Sequence, residues 1–210
     1  GRQTLAFRDQ EGTRLILVAE DGEQGVAGGV PWKHDEIPAE HAIVGLGAVT
    51  LTVNDPEPTA LVLTEVLGFK KIGSYPSLAG DFAEIDVYST GQGGIGAEVH
   101  LEARPDLDRE RLGRGGVHHV AFRVPNSEEY DLWVKRLNEY RLPNSGKVDR
   151  HYFQALYFRE PNHILFELST DTPGFATDES VETLGETLAL PPFLEPQREQ
   201  IEARLRPLEI

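Results

Sequence analysis

The 210-residue chain is 39% apolar and 26% charged, which places it among globular proteins long enough for one large domain or two small ones. Its net charge of −15 argues against a nucleic-acid partner, which needs clustered Lys and Arg, and the absence of Cys excludes disulfides and thiolate metal sites. No apolar run reaches membrane-spanning length and the start lacks a signal-peptide pattern, so a cytoplasmic protein with neither nucleic-acid nor membrane partner is expected.

In chain order, Leu5-Ala6-Phe7-Arg8-Asp9 and Arg14-Leu15-Ile16-Leu17-Val18 read as a hairpin, and residues 1–20 as the closing hairpin of an incomplete βαβββ module. Its own first strand and helix are missing. That gap and the lack of any Met predict an excerpt of a longer protein. Residues 21–43, rich in Gly and Pro, read as a linker in which Trp32 is expected to be packed away from solvent.

Residues 44–105 then read as a βαβββ module without metal ligands. A strand runs from Gly45. A helix follows, capped by Asn54-Asp55-Pro56-Glu57 and carrying Leu61, Leu63, Val66 and Leu67. Strands are expected at residues 69–72, 82–88 and 98–101. The opening strand pattern returns at Gly116, and residues 106–170 read as a second βαβββ module. Its helix starts at Asn126-Ser127-Glu128-Glu129, a capping-box pattern, and carries Tyr130, Leu132, Trp133, Leu137 and Tyr140. Strands follow near Lys147, at 155–158 and at 164–168. Residues 171–210 read as a C-terminal wrap and short helix, the wrap lying over a barrel mouth with Phe175 helping to close the site.

The chemistry concentrates in the second module. Gly116-Val117-His118-His119-Val120-Ala121-Phe122 reads as a strand, and so does Ile164-Leu165-Phe166-Glu167-Leu168. A charged Glu167 among Ile, Leu and Phe costs several kcal/mol unless a cation stays beside it. Imidazole and carboxylate are two of the three ligands of a 2-His-1-carboxylate face. Strand neighbours point to opposite faces, so one of His118 and His119 can join Glu167 while the other is free for proton chemistry. Alternatively, both histidines merely satisfy hydrogen bonds. The repeats weigh against that: Gly47-Ala48 stands where His118-His119 does, and Ile16 where Glu167 does, so the fold itself needs neither type. His100 lies near the Glu167 position of the first module and is read as half-buried or at the surface; His151 and His163 read as loop residues.

Three stretches resemble the vicinal oxygen chelate superfamily, the glyoxalase, bleomycin-resistance and extradiol dioxygenase fold. They are Pro38-Ala39-Glu40-His41-Ala42-Ile43, Gly115-Gly116-Val117-His118-His119-Val120-Ala121-Phe122, and Tyr157-Phe158-Arg159-Glu160-Pro161 leading into Phe166-Glu167-Leu168-Ser169-Thr170-Asp171. Leu184-Gly185-Glu186 and Leu190-Pro191-Pro192 fit as well, and within the superfamily these motifs are most similar to ring-cleaving dioxygenases of the hydroquinone 1,2-dioxygenase type. The resemblance implies an α+β fold of paired βαβββ modules forming half-open mixed β-barrels with flanking helices. It implies His119 and Glu167 as metal ligands, with the third ligand on a module this chain lacks. It gives His118 the acid/base role and sets Arg150 and Tyr157 against the bound diol or oxygen.

The implied activity is a non-heme Fe(II)-dependent cleavage of a hydroquinone or catechol ring that places both atoms of O2 in the product. Mn(II) and Zn(II) are alternative ions. The implied partners are a small aromatic substrate and O2, and self-association into a homo-oligomer is left open. One rival is a metal-dependent lyase or isomerase of the glyoxalase type, separated by oxygen uptake. Another is a non-catalytic resistance protein that binds a small molecule, separated by metal analysis.

Overall fold

The computed structural model describes residues 2–19, 25–77 and 84–207; Phe82 and Ala83 of the expected 82–88 strand, and residues 20–24, lie outside the described residues. Strands β1 (Thr4–Arg8) and β2 (Arg14–Val18) form an antiparallel hairpin with Ala6 opposite Ile16. The Asp9 carboxylate shapes the turn by accepting from the backbone N–H groups of Glu11 at 2.9 Å and Thr13 at 2.8 Å, beside backbone bonds from Gly12 N–H to Asp9 O and from Asp9 N–H to Thr13 O at 3.1 Å each.

Two four-stranded sheets follow, each built the same way. In the first, β3 (Val49–Val53), β4 (Lys70–Tyr75), β5 (Ile85–Ser89) and β6 (Glu98–Ala103) take the order β3-β6-β5-β4. In the second, β7 (Val120–Val124), β8 (Val148–Asp149), β9 (Gln154–Arg159) and β10 (Leu165–Thr170) take the order β7-β10-β9-β8. The first strand of each set lies parallel to its last, and the remaining pairs are antiparallel. A parallel pair needs a crossover, and a helix supplies it in each case. The chain is therefore an α+β fold of half-open mixed sheets with few helices.

Helix α1 (Pro56–Leu61) begins where the Asp55 side chain accepts from the Glu57 N–H at 3.1 Å, with Pro in the first turn where no donor is lost. It continues as a π-helical turn, Val62–Val66, and Gly68 at φ +75° lets the chain turn out of it. Helix α2 (Ser127–Glu139) begins where Asn126 Oδ1 accepts from the Glu129 N–H at 2.9 Å. A short helix α3 (Arg198–Glu202) lies near the end. Among the described residues no helix is long and apolar enough to cross a membrane.

Strand alternation sorts the side chains. Leu51, Val53, Tyr88, Val99 and Leu101 of the first sheet join Val124, Leu156, Phe158, Phe166 and Leu168 of the second in one core with the π-helical turn after α1 and the buried face of α2. Phe69 meets Phe122 edge-on at 5.6 Å, linking the two units. Polar ties add to that link. Arg136 on α2 donates to the carbonyls of Val66 at 2.5 Å and Glu65 at 2.7 Å, and the buried Glu160 carboxylate accepts from Thr59 Oγ1 at 2.5 Å. Those carbonyls end a helix and have no partner within it, so the guanidinium satisfies them.

Several expected packing positions differ. Trp32 is 86% exposed, because residues 31–37 run outside the shared core, and Leu61, Leu132 and Tyr140 are exposed on their helices. Leu132 lies two residues past Tyr130, some 200° round a helix of about 100° per residue, so the two cannot share a face.

Candidate metal centre

Glu167 stands on β10 opposite Ala121 of β7 and Tyr157 of β9, on the sheet face opposite to Phe166 and Leu168. Its side chain is 3% exposed. Oε2 lies 2.7 Å from His119 Nε2, and Oε1 accepts from Ser169 Oγ at 2.5 Å. Ser169, two residues along the same strand, shares the Glu167 face, so the hydroxyl fixes the carboxylate rotamer and leaves Oε2 aimed at the imidazole.

The histidine pair departs from the expected strand geometry. β7 starts at Val120, after Gly115 at φ +81°, so neither His118 nor His119 belongs to the regular strand and the opposite-face rule does not hold for them. Their rings meet edge-on at 5.3 Å, with the two Nδ1 atoms 3.0 Å apart. His119 also meets the Tyr157 ring edge-on at 6.0 Å. Arg150, just beyond β8, extends its guanidinium over that ring at 5.4 Å, and its Nη2 donates to Tyr157 Oη at 3.4 Å. All five residues singled out in the sequence thus form one chain of contacts: Arg150 to Tyr157 to His119, with Glu167 and His118 on either side of that imidazole.

Two atoms each about 2.1 Å from one divalent ion, at a right angle, lie about 3 Å apart, so the 2.7 Å contact of His119 with Glu167, an ion-pair distance as it stands, would need to open by a few tenths of an ångström to admit one. A buried carboxylate facing a nitrogen donor suits a hard or borderline cation. Among the described residues there is no group of three His, Asp or Glu arranged to hold a metal.

The same place in the first sheet is furnished differently. His100 on β6 stands opposite Thr50 of β3 just as Glu167 stands opposite Ala121. It is half-buried, its Nδ1 is 2.9 Å from Tyr75 Oη, and its Nε2 is 3.2 Å from Glu98 Oε2. Arg2 donates to both Glu98 oxygens at 2.9 Å, and buried Glu102 accepts from Thr52 Oγ1 at 3.0 Å and Ser77 Oγ at 2.5 Å. Burial alone pushes the Glu98 carboxyl up, but its bonds and charge interactions with Arg2 and His100 outweigh burial and hold it below the usual carboxylate value. Burial, then the charge of Glu102, pushes the Tyr75 phenol up.

The 150–153 loop that carries Arg150 is bound to the C-terminal segment. Phe175, 62% exposed, stacks on Tyr152 at 5.4 Å, and Tyr152 Oη donates to Asp178 Oδ2 at 3.0 Å. Sequence patterns missed Ser169, which strand parity with Glu167 points to, and Tyr152 and Asp178, which carry no periodic signal.

Two half-open βαβββ sheets with a buried acid against an imidazole at one strand end define an α+β scaffold with a candidate metal site. Residues 45–168 match the model of the Glyoxalase/Bleomycin resistance protein/Dioxygenase superfamily, and the chain belongs to that family. It is 51% identical over 209 residues to MhqA of Bacillus subtilis, provisionally named a ring-cleaving dioxygenase, covering 100% of this chain and 65% of MhqA. It is 30% identical over 210 residues to the chlorohydroquinone/hydroquinone 1,2-dioxygenase of Sphingobium indicum, covering 96% of this chain and 60% of that protein. A crystal structure of a provisionally named dioxygenase from Bacillus subtilis superposes with a TM-score of 0.86 at 36% identity, covering 100% of this chain and 63% of that one. The chain thus spans a little under two thirds of the length of these relatives.

Proposed function

We propose that this chain forms part of a ring-cleaving dioxygenase that uses a non-heme Fe(II) ion and O2 to open a hydroquinone- or catechol-type ring. One observation carries the reading: a carboxylate buried to 3% exposure points one oxygen at an imidazole nitrogen 2.7 Å away, on a strand position where the other repeat copies need no acid. The names of the relatives agree with it.

His119 and Glu167 would hold the ion, and a third ligand would come from outside the described residues. A ferrous ion there would supply Lewis acidity and one-electron redox chemistry toward an electron-rich ring and O2. Ligation through His119 Nε2 requires that ring's proton on Nδ1, 3.0 Å from His118 Nδ1, which then accepts it. His118 is left with its own proton on Nε2, from which its imidazole can donate to an oxygen of the ring or of O2 as a general acid, and it can take a ring-hydroxyl proton only when Nε2 has given its own up. Tyr157 offers its hydroxyl and Arg150 its guanidinium on the same side. The first can donate to a reacting oxygen, and the second orients a phenolate and offsets negative charge that develops on it.

The test loads the full-length protein with Fe(II) under anaerobic conditions and follows oxygen uptake with hydroquinones and catechols. Uptake in the parent, lost in both His119→Ala and Glu167→Gln, is the expected result. Full activity in both variants overturns the site assignment, and turnover of substrate without oxygen uptake overturns the reaction class.

A further inference from the structure

The guanidinium of Arg150 is exposed, and its hold on Tyr157 consists of one long hydrogen bond, 3.4 Å, and a ring contact at 5.4 Å. Contacts of that kind at the surface are weak against the rotamer freedom of an arginine, so they do not by themselves keep the side chain over the ring. The backbone beneath it is another matter. Arg150 N–H donates to Phe153 O at 2.9 Å and Tyr152 N–H donates to Arg150 O at 2.9 Å, while His151 takes φ +70°, a left-handed conformation uncommon outside glycine. The loop closes the β8–β9 hairpin, where His151 N–H also donates to Asp149 Oδ1 at 2.8 Å, and contacts from outside the hairpin add to that hold.

The C-terminal segment holds it at four points. Gly174 N–H donates to Tyr152 O at 2.9 Å; Phe175 stacks on Tyr152 at 5.4 Å with 29° between the rings; Tyr152 Oη donates to Asp178 Oδ2 at 3.0 Å; and His151 Nε2 lies 3.4 Å from that same oxygen. Phe153 also approaches the Phe175 ring, at 6.3 Å. Every residue from His151 to Phe153 therefore touches the 174–178 segment, and Arg150 is the next residue along the chain.

We propose that Phe175 and Asp178 are positioning residues that aim Arg150 at Tyr157, and that through Arg150 they set the affinity of the site for the ionised oxygen of a phenolic ring. This deepens the dioxygenase reading and rests on it for the substrate class. The aim of the guanidinium is a separate matter, readable without turnover.

The experiment uses the full-length protein with Asp178→Ala, Phe175→Leu, Arg150→Ala and the pair Asp178→Ala with Arg150→Ala. The first readout is the Arg150 Nε–H resonance in metal-free, 15N-labelled protein, which the Tyr157 ring displaces while the guanidinium lies over it. Asp178→Ala and Phe175→Leu are each expected to move that resonance toward the position of a free arginine, and Phe175→Tyr, which keeps the stacked ring, to restore it. An unmoved resonance in both variants overturns the proposal whatever the enzyme does.

The second readout is turnover of hydroquinone. Asp178→Ala is expected to lower kcat/KM by about tenfold, through a raised KM for the weaker hold on the phenolate and a lowered kcat for the charge that develops on it. It should add nothing in the Arg150→Ala background. Additive losses mean that Asp178 acts elsewhere and overturn the coupling. A displaced resonance together with an Arg150→Ala variant of unchanged kcat/KM supports the aiming role and overturns the substrate role of Arg150, so the two failures are distinguishable.

Discussion

The sheet of β3–β6 and the sheet of β7–β10 have the same strand order, the same parallel pairing and an Asx cap on the crossover helix, yet their polar faces differ in kind. In the first, Arg2, Glu98, His100 and Tyr75 bond to one another, and Glu102 is held by two hydroxyls. In the second, Glu167 is held on one side by a single serine and turns its other oxygen to an imidazole whose side chain is 36% exposed. A network of mutually bonded groups rigidifies a sheet, whereas an acid facing one partly exposed imidazole can exchange that partner for something that arrives. The backbone is common to both, and the chemistry lies in a few side chains that either copy could have carried.

The largest expected effect comes from Glu167→Gln. It should weaken Fe(II) uptake by more than about 100-fold in an anaerobic titration, because loss even of a residue that only supports a ligand costs about 10- to 100-fold. The same change at Glu98 should leave uptake within about twofold, and a comparable loss there would erase the distinction between the two faces.

Next comes Arg2→Ala, which leaves the buried Glu98 carboxylate with His100 as its remaining partner among the described residues and should cost about 1–3 kcal/mol in urea unfolding at neutral pH. The pH dependence sharpens this. The folded-state pKa of Glu98 lies below its ordinary 4.5, so its contribution is complete above that value and disappears as the pH falls through the lower folded value. Acid unfolding below about 4.5 should therefore be shallower in Arg2→Ala than in the parent, and parallel acid limbs would remove Glu98 from the account.

The smallest effect tests what the two units share. Asn126→Ala and Asp55→Ala each remove one helix cap and should each lower stability by about 1 kcal/mol in thermal unfolding, near-equal losses being the signature of equivalent crossovers.

Much of this was legible in the residues. Both caps, both βαβββ element orders and the opening hairpin follow from alternation and Asx-plus-acid starts, and one charged residue in an apolar strand marks Glu167; the choice of His119 over His118 comes only with the family resemblance. The exceptions have physical causes. The His118-His119 pair obeys loop geometry because glycines precede it, so the rule that strand neighbours diverge failed there. Trp32 carries an aromatic ring in a segment that leaves the core, and side-chain type cannot reveal that the backbone has left. The grip of Asp178 on Tyr152 joins two irregular segments on either side of β9 and β10, where no periodicity marks which groups meet.

One small feature has a wide reach. Glu160 closes the turn that delivers β10, accepting from the Ile164 N–H at 2.8 Å on one oxygen and from Thr59 on the other, while Asn162 reaches Thr59 and the Asp55 carbonyl at 2.8 Å each. The strand that aims Glu167 is thus moored to the neighbouring repeat's helix start. A graft of residues 106–170 into a foreign scaffold would carry the acid and the imidazole but cut that mooring, and the angle between them would then belong to the host.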